Sequence, residues 1–283
     1  MTTNKIFFLT QKQIQELIAQ RLKVLGTGGS CTVYLVEVNG ALCCLKVAKD
    51  KHLGHMFRRE FEILLELNGA AGAPKALGTS AGFPAMLTSF CGHHTFCNLS
   101  LLAHSDTDKL SAFLLLARKV EELHAHGFTH NDIKENNVVL SYDTDGRLQV
   151  SLIDYGLAKE FGHKFHNFDT NHRCVWMAPE LYKGAPCAPA FDVFSLGQML
   201  NRILFKCQTR YPRLEVLAVR AMSTNPSLRP SIATIIKTVS EYTGETTKES
   251  KRFGRRVNKF KNSSFVRSLL KFFCCCYTRR RKY

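Results

Sequence analysis

The chain has 283 residues, a hydrophobic fraction of 45%, an aromatic fraction of 10% and a formal net charge of +16 at pH 7. A chain of this length and apolar content can bury a core, which excludes a predominantly disordered protein. No apolar stretch approaches the roughly 18 uninterrupted residues of a membrane-spanning helix. The 11 cysteines include no C-x-x-C pair. This scattered set predicts free thiols in the reducing cytoplasm and no disulfide framework.

The positive charge is concentrated toward the C-terminal end. Residues 244–283 contain 13 Lys and Arg against 2 Glu, a net charge of +11 that leaves +5 of the total +16 for the first 243 residues. We therefore divide the chain into a folded domain, residues 1–243, and a basic, cysteine-containing tail, residues 244–283. Such a tail is typical of segments that contact an anionic membrane, a nucleic acid or an acidic partner, or it is simply solvated.

The N-terminal part of the chain reads as strands followed by one helix. Val33–Val38 is rich in β-forming residues, Asn39-Gly40 is typical of a two-residue hairpin turn, and Ala41–Val47 predicts the returning strand. Residues 55–67 then change to a helical period with one apolar face. After a connection rich in Gly, Ala and Pro, strand-like sequence continues to Phe90.

Beyond Gly92 the pattern becomes mainly helical. Two short β-like runs, Asn137–Leu140 and Leu148–Ile153, interrupt it. A small β-rich part followed by a larger helical part predicts an α+β fold with a cleft between the two parts, and such clefts commonly bind ligands. The predicted helices are Leu110–His124, Phe191–Phe205, Leu214–Met222 and Ser231–Tyr242.

A glycine-rich segment, Gly26–Val33, lies between two predicted strands. Glycine lets a backbone turn tightly and approach phosphate groups, although any glycine-rich hairpin would look similar. The flanking strands disfavour a Rossmann or Walker loop, because a helix follows those loops. Lys46 lies near the end of the next apolar strand. A lone lysine there is more often a solvated edge charge, but Glu60 lies on the following helix, on a face from which it can reach Lys46.

The most specific patterns lie further along the chain, where His130–Asn137 reads HNDIKENN and Ile153–Gly156 reads IDYG. They resemble the catalytic loop H-x-D-x-K-x-x-N and the D-F-G motif of eukaryotic protein kinases. Met177–Glu180 is similar to the family's A-P-E motif, and Asp192–Gly197 to the aspartate-bearing helix that anchors the catalytic loop. Arg229 is similar to the arginine that pairs with the A-P-E glutamate. The motifs follow the family's order over roughly residues 20–243.

The resemblance implies a two-lobed protein kinase fold. A small, antiparallel β-rich N-lobe is expected at about residues 1–91, and a larger, mainly helical C-lobe at about residues 92–243. The implied reaction is transfer of the ATP γ-phosphate, with Mg²⁺ as the metal, to Ser or Thr hydroxyls of protein substrates. Lys134 favours Ser/Thr specificity, because tyrosine kinases of this family usually place Ala or Arg nearby instead.

The resemblance also implies which residues carry out the chemistry. Asp132 would accept the proton of the substrate hydroxyl, and Lys134 would neutralise the γ-phosphate. Asn137 and Asp154 would hold Mg²⁺ through the hard oxygen atoms that this ion prefers.

The implied nucleotide site draws mainly on the N-lobe. Lys46, oriented by Glu60, would hold the α- and β-phosphates. Backbone amides around Gly26 and Gly28 would cover the nucleotide. The residues expected around the adenine are Leu25, Val33 and Cys44 above it, Val139 below it, Thr88–Cys91 as the hinge and Leu87 as the gatekeeper.

Several residues depart from the family's pattern. Cys31 replaces the third glycine of the phosphate loop, and Tyr155 replaces the D-F-G phenylalanine and brings a hydroxyl that needs a partner. Asn131 replaces the arginine that clasps a phosphorylated activation loop. We therefore expect activity that does not depend on phosphorylation of Thr170, the loop's hydroxyl residue. Arg173 stands where Ser/Thr kinases usually carry a threonine that contacts the catalytic aspartate and lysine.

Two alternatives to an active protein kinase remain at this stage. One is an ATP-binding pseudokinase that acts as a membrane-associated scaffold or decoy. The other is a phosphotransferase of the same fold that acts on a small molecule. The A-P-E segment, the helix of Asp192 and Arg229 argue against a small-molecule substrate, because in the family they build the platform for protein substrates.

The tail combines basic residues, an apolar stretch and three adjacent cysteines. The apolar stretch, Phe265–Phe273, is interrupted by Arg267 and Lys271 and suits an interfacial helix better than a spanning one. Cys274, Cys275 and Cys276 are candidate S-palmitoylation sites. We expect a protein substrate and an anionic membrane surface as partners, with nuclear targeting through the last basic run as a minor alternative. Nucleic-acid binding is not favoured, and the sequence indicates no oligomeric state.

Overall fold

The computed structural model describes residues 6–103, 105–165 and 173–244. Thr170 and residues 245–283 of the basic tail, about which predictions were made above, lie outside these ranges. Within them, every helix is too short or too polar to cross a membrane.

The described residues form a β-rich N-terminal part and a mainly helical C-terminal part. The strands are β1 Phe7–Phe8, β2 Lys23–Thr27, β3 Cys31–Val38, β4 Ala41–Ala48, β5 Ala76–Thr79, β6 Ala85–Ser89, β7 His94–Thr95, β8 Phe128–Thr129, β9 Val138–Tyr142, β10 Leu148–Leu152 and β11 Lys159–Glu160. The α-helices are α1 Gln11–Ala19, α2 Gly54–Leu67, α3 Leu99–Leu102, α4 Asp106–Ala125, α5 Pro189–Phe205, α6 Pro212–Ala221 and α7 Ile232–Ser240.

The N-terminal sheet has the strand order β1-β5-β6-β4-β3-β2. All neighbouring pairs are antiparallel except β1 and β5. The turn between β3 and β4 is the predicted Asn39-Gly40, and both residues have positive φ, as a two-residue hairpin of this kind requires. This antiparallel-rich sheet, followed by helices, confirms the predicted α+β class.

The two faces of this sheet pack against different parts of the protein. On the outer face, Ile14 of α1 contacts a cluster that includes Val36, Leu45 and Leu87. Helix α1, which was not predicted, begins with a capping box between Thr10 and Gln13. The opposite face, called the inner face below, packs against α2, since Met86 of β6 belongs to the same cluster as Phe57 and Phe61.

Helix α2 is buried along one side. Phe57, Phe61 and Leu64 recur at a helical spacing and belong to the main hydrophobic cluster of the protein. The same cluster continues through α4 and α5, so one core extends from α2 into the helical part. The helix ends at Asn68, whose left-handed backbone is a conformation that asparagine tolerates well.

In the C-terminal part, α5 is buried along most of its length. Gly197 lets it approach α6 closely, since an added Cβ would lie 2.8 Å from the Cβ of Ala221. Strands β9 and β10 form a hairpin at the junction with the N-terminal part. The loop that precedes β9 and the residues that follow β10 carry the motifs singled out in the sequence.

Candidate active site

One face of the N-terminal sheet carries several of the predicted nucleotide-binding side chains. Residues paired directly across neighbouring strands point to the same face of a sheet. The register pairs Val33 with Lys46 and Leu35 with Cys44, and these positions alternate correctly along both strands. Val33, Cys44 and Lys46 therefore share the inner face. Thr88 joins them, because it pairs with Cys44.

Leu87 lies on the opposite face, so the prediction that it is the gatekeeper is wrong. It pairs with Leu45 and packs with Ile14 in the outer cluster. The next residue, Thr88, is buried and shares the inner face with Cys44. The error is a one-residue shift along a strand, which reverses the face to which a side chain points.

Leu25, Gly26 and Gly28 lie at the edge of the sheet beside the turn from β2 to β3. A bulge between the paired residues Val24 and Gly26 leaves Leu25 outside the ladder and half-buried. The Gly28 N–H donates to the carbonyl of Cys31 at 2.9 Å and closes the turn. An added Cβ at Gly26 would meet nothing within 4 Å, so the space beside this backbone is open.

Lys46 is held between two carboxylates. Its Nζ donates to Glu60 Oε1 and Oε2 at 2.9 and 2.7 Å, and to Asp154 Oδ1 at 2.8 Å. Glu60 belongs to α2 and Asp154 follows β10, so three separate elements meet at one ammonium group. Burial alone would lower the pKa of Lys46, but the charges of Glu60 and Asp154 outweigh this effect and raise the pKa. Lys46 therefore remains a cation.

Asp154 has a left-handed backbone, with φ 67° and ψ 73°, a conformation that is uncommon for residues other than glycine. Burial tends to raise the pKa of this carboxyl group. The charge and the hydrogen bond of Lys46 act more strongly and hold it below its usual value. The Asp154 side chain is therefore ionised, and 46% of it is exposed.

Asp132, Lys134 and Asn137 form a second polar cluster next to the first. Lys134 Nζ and Asn137 Nδ2 both donate to Asp132 Oδ2, at 2.7 and 2.8 Å. The backbone N–H of Ile153 donates to the carbonyl of Asn137 at 2.9 Å. Because Ile153 immediately precedes Asp154, this hydrogen bond brings the two clusters side by side.

The buried Asp192 of α5 fixes the segment His130–Asn137, which resembles the family's catalytic loop and is given that name below. Its two carboxylate oxygens accept the backbone N–H groups of His130 and Asn131, both at 2.8 Å. One of them also lies 2.9 Å from Nε2 of His124. Burial acts to raise the pKa of Asp192, but the hydrogen bond and charge of His124 and the neighbouring donors lower it. The helix that was expected to anchor the catalytic loop does contact it.

Asn131 uses its amide to join the catalytic loop to the segment after Asp154. The residue is 2% exposed and has a positive φ of 65°. Its Nδ2 donates to Thr129 Oγ1 and to the carbonyl of Leu157, both at 2.9 Å. A neutral amide with local partners thus occupies the position at which the family carries a phosphate-binding arginine.

Val139 of β9 is buried beneath the connection that leaves β6. An added Cβ at Gly92 would lie 3.1 Å from Cγ1 of Val139. This close approach explains why the connection has a glycine with φ 141° at that point. It also places Val139 next to Thr88–Cys91, the segment predicted to be the hinge.

Two of the departures from the family's pattern are buried. Cys31 is 8% exposed, and burial raises the pKa of its thiol. Tyr155 is 1% exposed and its ring lies 4.9 Å from that of His130. Burial also raises the pKa of Tyr155, and its hydroxyl has no hydrogen-bond partner among the described residues. The partner that this hydroxyl was expected to need is absent there.

The predicted ion pair of the A-P-E motif is present. Arg229 Nη2 donates to Glu180 Oε2 at 2.8 Å, and Nη1 donates to the carbonyl of Ala190 at the same distance. The Arg229 side chain is 1% exposed, so its charge depends on this partner. The pair attaches the segment after the activation loop to the beginning of α5.

One side chain that was not predicted to belong to the site contacts it directly. Trp176 Nε1 donates to Asp132 Oδ1 at 2.8 Å. Arg173, which was expected to stand in place of a threonine at this contact, is exposed and lies over the ring of Tyr182. The single tryptophan, two residues before an Ala-Pro-Glu sequence, could have been noted as a candidate site residue from the sequence. The sequence could not show that its side chain points toward Asp132.

The donor set fits a magnesium ion. Asn137 uses its Nδ2 to bond Asp132, so its amide oxygen is the polar atom that can meet a metal. Asp154 adds a carboxylate that is ionised and half-exposed. Mg²⁺ is typically bound by one or two such oxygen ligands together with substrate phosphates. Lys46 and Lys134 provide the cations that phosphate groups require nearby.

Comparison with known proteins agrees with this geometry. A family model described as "Protein kinase domain" matches residues 19–271. The match extends past residue 243, so the domain boundary stays a prediction. Cyclin-dependent kinase 7 of Carassius auratus is 29% identical over 216 residues, which cover 66% of this chain and 57% of that protein.

More distant similarity extends to larger proteins. Mitogen-activated protein kinase kinase kinase 12 of Rattus norvegicus is 23% identical over 188 residues, which cover 65% of this chain and 20% of the relative. Mitogen-activated protein kinase kinase kinase 13 of Homo sapiens is also 23% identical, over 65% of this chain and 18% of its own length. The chain thus spans about a fifth of the length of these two relatives.

The hydroxyl of Tyr155, which has no hydrogen-bond partner in the part of the chain that the structure describes, leads to a stability prediction. A buried polar group without a hydrogen bond costs about 1–3 kcal/mol, so Tyr155→Phe should raise the free energy of unfolding by an amount in that range. Tyr182→Phe is the matched comparison, because its hydroxyl accepts the Cys174 N–H at 2.6 Å, and it should lower stability. Chemical denaturation measures both changes. A Tyr155→Phe variant less stable than the wild type would contradict the unpaired state of this hydroxyl.

Proposed function

The chain belongs to the protein kinase family, and we propose that it is an active enzyme that transfers the γ-phosphate of ATP to Ser or Thr hydroxyls of protein substrates. The observation that carries the proposal is the contact of Lys46 with both Glu60 and Asp154. Phosphoryl transfer depends on positioning and on charge neutralisation, and both require these three groups to be in place together.

The proposed nucleotide site follows the inner face of the N-terminal sheet. Lys46 would bind the α- and β-phosphates, in the orientation that Glu60 imposes. The backbone around Gly26 and Gly28 would cover the phosphates, and the space beside Gly26 is open. Thr88–Cys91 would bind the adenine edge, and the apolar side chains that would enclose the ring are Leu25, Val33, Cys44 and Val139.

Asp132 is the proposed catalytic base. It would accept the proton of the substrate hydroxyl and align that oxygen for attack on the γ-phosphorus. Lys134, which donates to Asp132 Oδ2 at 2.7 Å, would neutralise the charge of the γ-phosphate. Asn137 and Asp154 would hold Mg²⁺, whose charge would help to neutralise the phosphate oxygens.

The substrate class rests on two supports. Lys134 favours Ser/Thr over Tyr substrates by resemblance. The Glu180–Arg229 ion pair and the anchoring of the catalytic loop by Asp192 support a protein over a small molecule, because these parts build the protein-substrate platform in the family. The relatives named above are themselves described as kinases, and their shares of identity are low.

The proposed base leads directly to an activity prediction. Asp132→Asn should lower kcat by about 10²–10⁴-fold, the usual contribution of a general base, while the KM for ATP changes little. Asp145→Asn is the matched control, since Asp145 lies in the exposed turn between β9 and β10. Transfer of radiolabel from ATP to a mixture of Ser, Thr and Tyr peptides measures the rate and the residue preference.

A pseudokinase would give a different result in the same assay. Purified wild type that binds ATP but transfers no label above the Asp132→Asn background would contradict the proposed enzyme activity. It would support a pseudokinase that acts as a scaffold or decoy. Label found on tyrosine alone would overturn the proposed Ser/Thr specificity and leave phosphoryl transfer intact.

We further propose that the tail, residues 244–283, binds an anionic membrane surface. Each Lys or Arg near such a surface contributes about 1 kcal/mol, and the tail contains 13 of them. Cys274, Cys275 and Cys276 could add S-palmitoyl chains, and stable anchoring generally takes two such signals. The protein would otherwise be cytoplasmic, with the nucleus as the minor alternative through Arg279–Lys282.

Imaging of a fluorescent fusion tests the tail. We expect the wild type at membranes, and we expect replacement of Cys274–Cys276 by serine to move much of the signal into the cytoplasm. Replacement of Arg279–Lys282 by alanine is the comparison that detects nuclear targeting. A diffuse wild-type signal that is the same after the cysteines are replaced would contradict the lipid anchor. A nuclear signal that is lost when Arg279–Lys282 is replaced by alanine would favour nuclear targeting.

A further inference from the structure

Trp176 is the only tryptophan in the chain, and it contacts both functional side chains of the catalytic loop. Its indole Nε1 donates to Asp132 Oδ1 at 2.8 Å. Its ring lies under Lys134, with Nζ 5.2 Å from the ring centroid. A cation near an aromatic face at this distance is attracted to it. The indole of Trp176 thus binds the Asp132 carboxylate through its N–H and contacts the Lys134 ammonium group through the face of its ring.

The hydrogen bonds to Asp132 differ between its two oxygens. Among the described residues, Oδ2 accepts from Lys134 Nζ and Asn137 Nδ2, whereas Oδ1 accepts from Trp176. An ionised carboxylate offers about two acceptor positions on each oxygen. Oδ2 is therefore filled, and Oδ1 retains one position. The substrate hydroxyl would meet Asp132 at Oδ1, beside the indole.

The indole is suited to this place because it only donates. A hydroxyl group can both donate and accept a hydrogen bond, so it could accept the hydrogen bond that the substrate hydroxyl should donate to the carboxylate. An indole N–H has no acceptor capacity. Trp176 therefore orients Asp132 Oδ1 without taking part in the proton transfer.

The backbone of Trp176 is fixed to the same helix that holds the catalytic loop. Ser195 Oγ donates to the carbonyl of Trp176 at 2.6 Å, and Ser195 is 1% exposed. Asp192, which binds the backbone of His130 and Asn131, lies three residues earlier, about one turn of α5 away. The indole and the carboxylate are therefore mounted on one rigid support.

We propose that Trp176 is a positioning residue that fixes Oδ1 of Asp132 and the ammonium group of Lys134. It performs the contact for which resemblance leads one to expect a threonine at position 173, where this chain has the exposed Arg173. The proposal rests on the proposed kinase function, because positioning has meaning only for the reaction at Asp132.

Two variants distinguish the contribution of the indole N–H, which contacts Asp132, from that of the ring face, which contacts Lys134. Trp176→Phe removes the N–H but keeps an aromatic ring, and we expect kcat to fall about 10- to 100-fold, as for the loss of a hydrogen bond to a charged group, with the KM for ATP within about twofold of the wild type. Trp176→Ala also removes the ring beside Lys134 and should cost more. Phe205→Leu, which changes an aromatic residue of α5 that is 93% exposed, should match the wild type.

A spectroscopic measurement tests the contact without using activity. The single tryptophan gives one indole N–H signal in a ¹⁵N-labelled sample. We expect slow exchange of this proton with solvent in the wild type, and a shift of the signal together with faster exchange in Asp132→Ala. Asp145→Ala, at an exposed turn, should leave the signal unchanged.

The two readouts distinguish the possible failures. The positioning role would be contradicted if the indole N–H signal had the same shift and exchange rate in Asp132→Ala as in the wild type. A Trp176→Phe variant with the wild-type kcat would also contradict it. A wild type that transfers no phosphate but shows the coupled indole signal would overturn the proposed kinase activity while the contact stands. Should Trp176→Phe fail to fold, the comparison of wild type with Asp132→Ala decides on the contact alone.

Discussion

Lys46 carries a charge that the fold can bury only because two carboxylates meet it. An unpaired ammonium group in a protein interior is strongly unfavourable, and Glu60 and Asp154 pair with that of Lys46 at 2.7 and 2.8 Å. The three residues come from β4, from α2 and from the segment after β10. Their contact therefore fixes the N-terminal sheet, its helix and the C-terminal part relative to one another, and it leaves a half-exposed carboxylate at the junction.

Helix α5 is the second support of the site. Its buried Asp192 holds the backbone of the catalytic loop, Ser195 holds the carbonyl of Trp176, and its first turn receives Arg229. The cluster around Lys46 meets the cluster of Asp132, Lys134 and Asn137 where the Ile153 N–H donates to the carbonyl of Asn137. The ion pairs of Lys46 thus fix Asp154, and the hydrogen bonds of α5 fix the loop that carries Asp132. The proposed reaction takes place between these two carboxylates.

The sequence was most informative where chemistry demanded particular residues at fixed spacings. The pairing of Lys46 with Glu60 followed from a strand and the next helix, since one helical face could reach back. Leu87 was assigned wrongly because strand register, which decides the face, is set by pairing across the sheet and is not visible in one strand. Trp176 was missed because its contact depends on how a segment far from Asp132 in the chain is folded. Helix α1 did carry a readable signal, the capping box from Thr10 to Gln13.

Binding of ATP with and without Mg²⁺, measured by calorimetry on the wild type and on Asp154→Asn, tests most directly whether the Lys46 cluster forms a metal-assisted nucleotide site. We predict that Mg²⁺ strengthens ATP binding to the wild type and that Asp154→Asn loses this gain while it still binds the free nucleotide. An ATP affinity that is the same with and without Mg²⁺ in both proteins, or the absence of any ATP binding by the wild type, would contradict it.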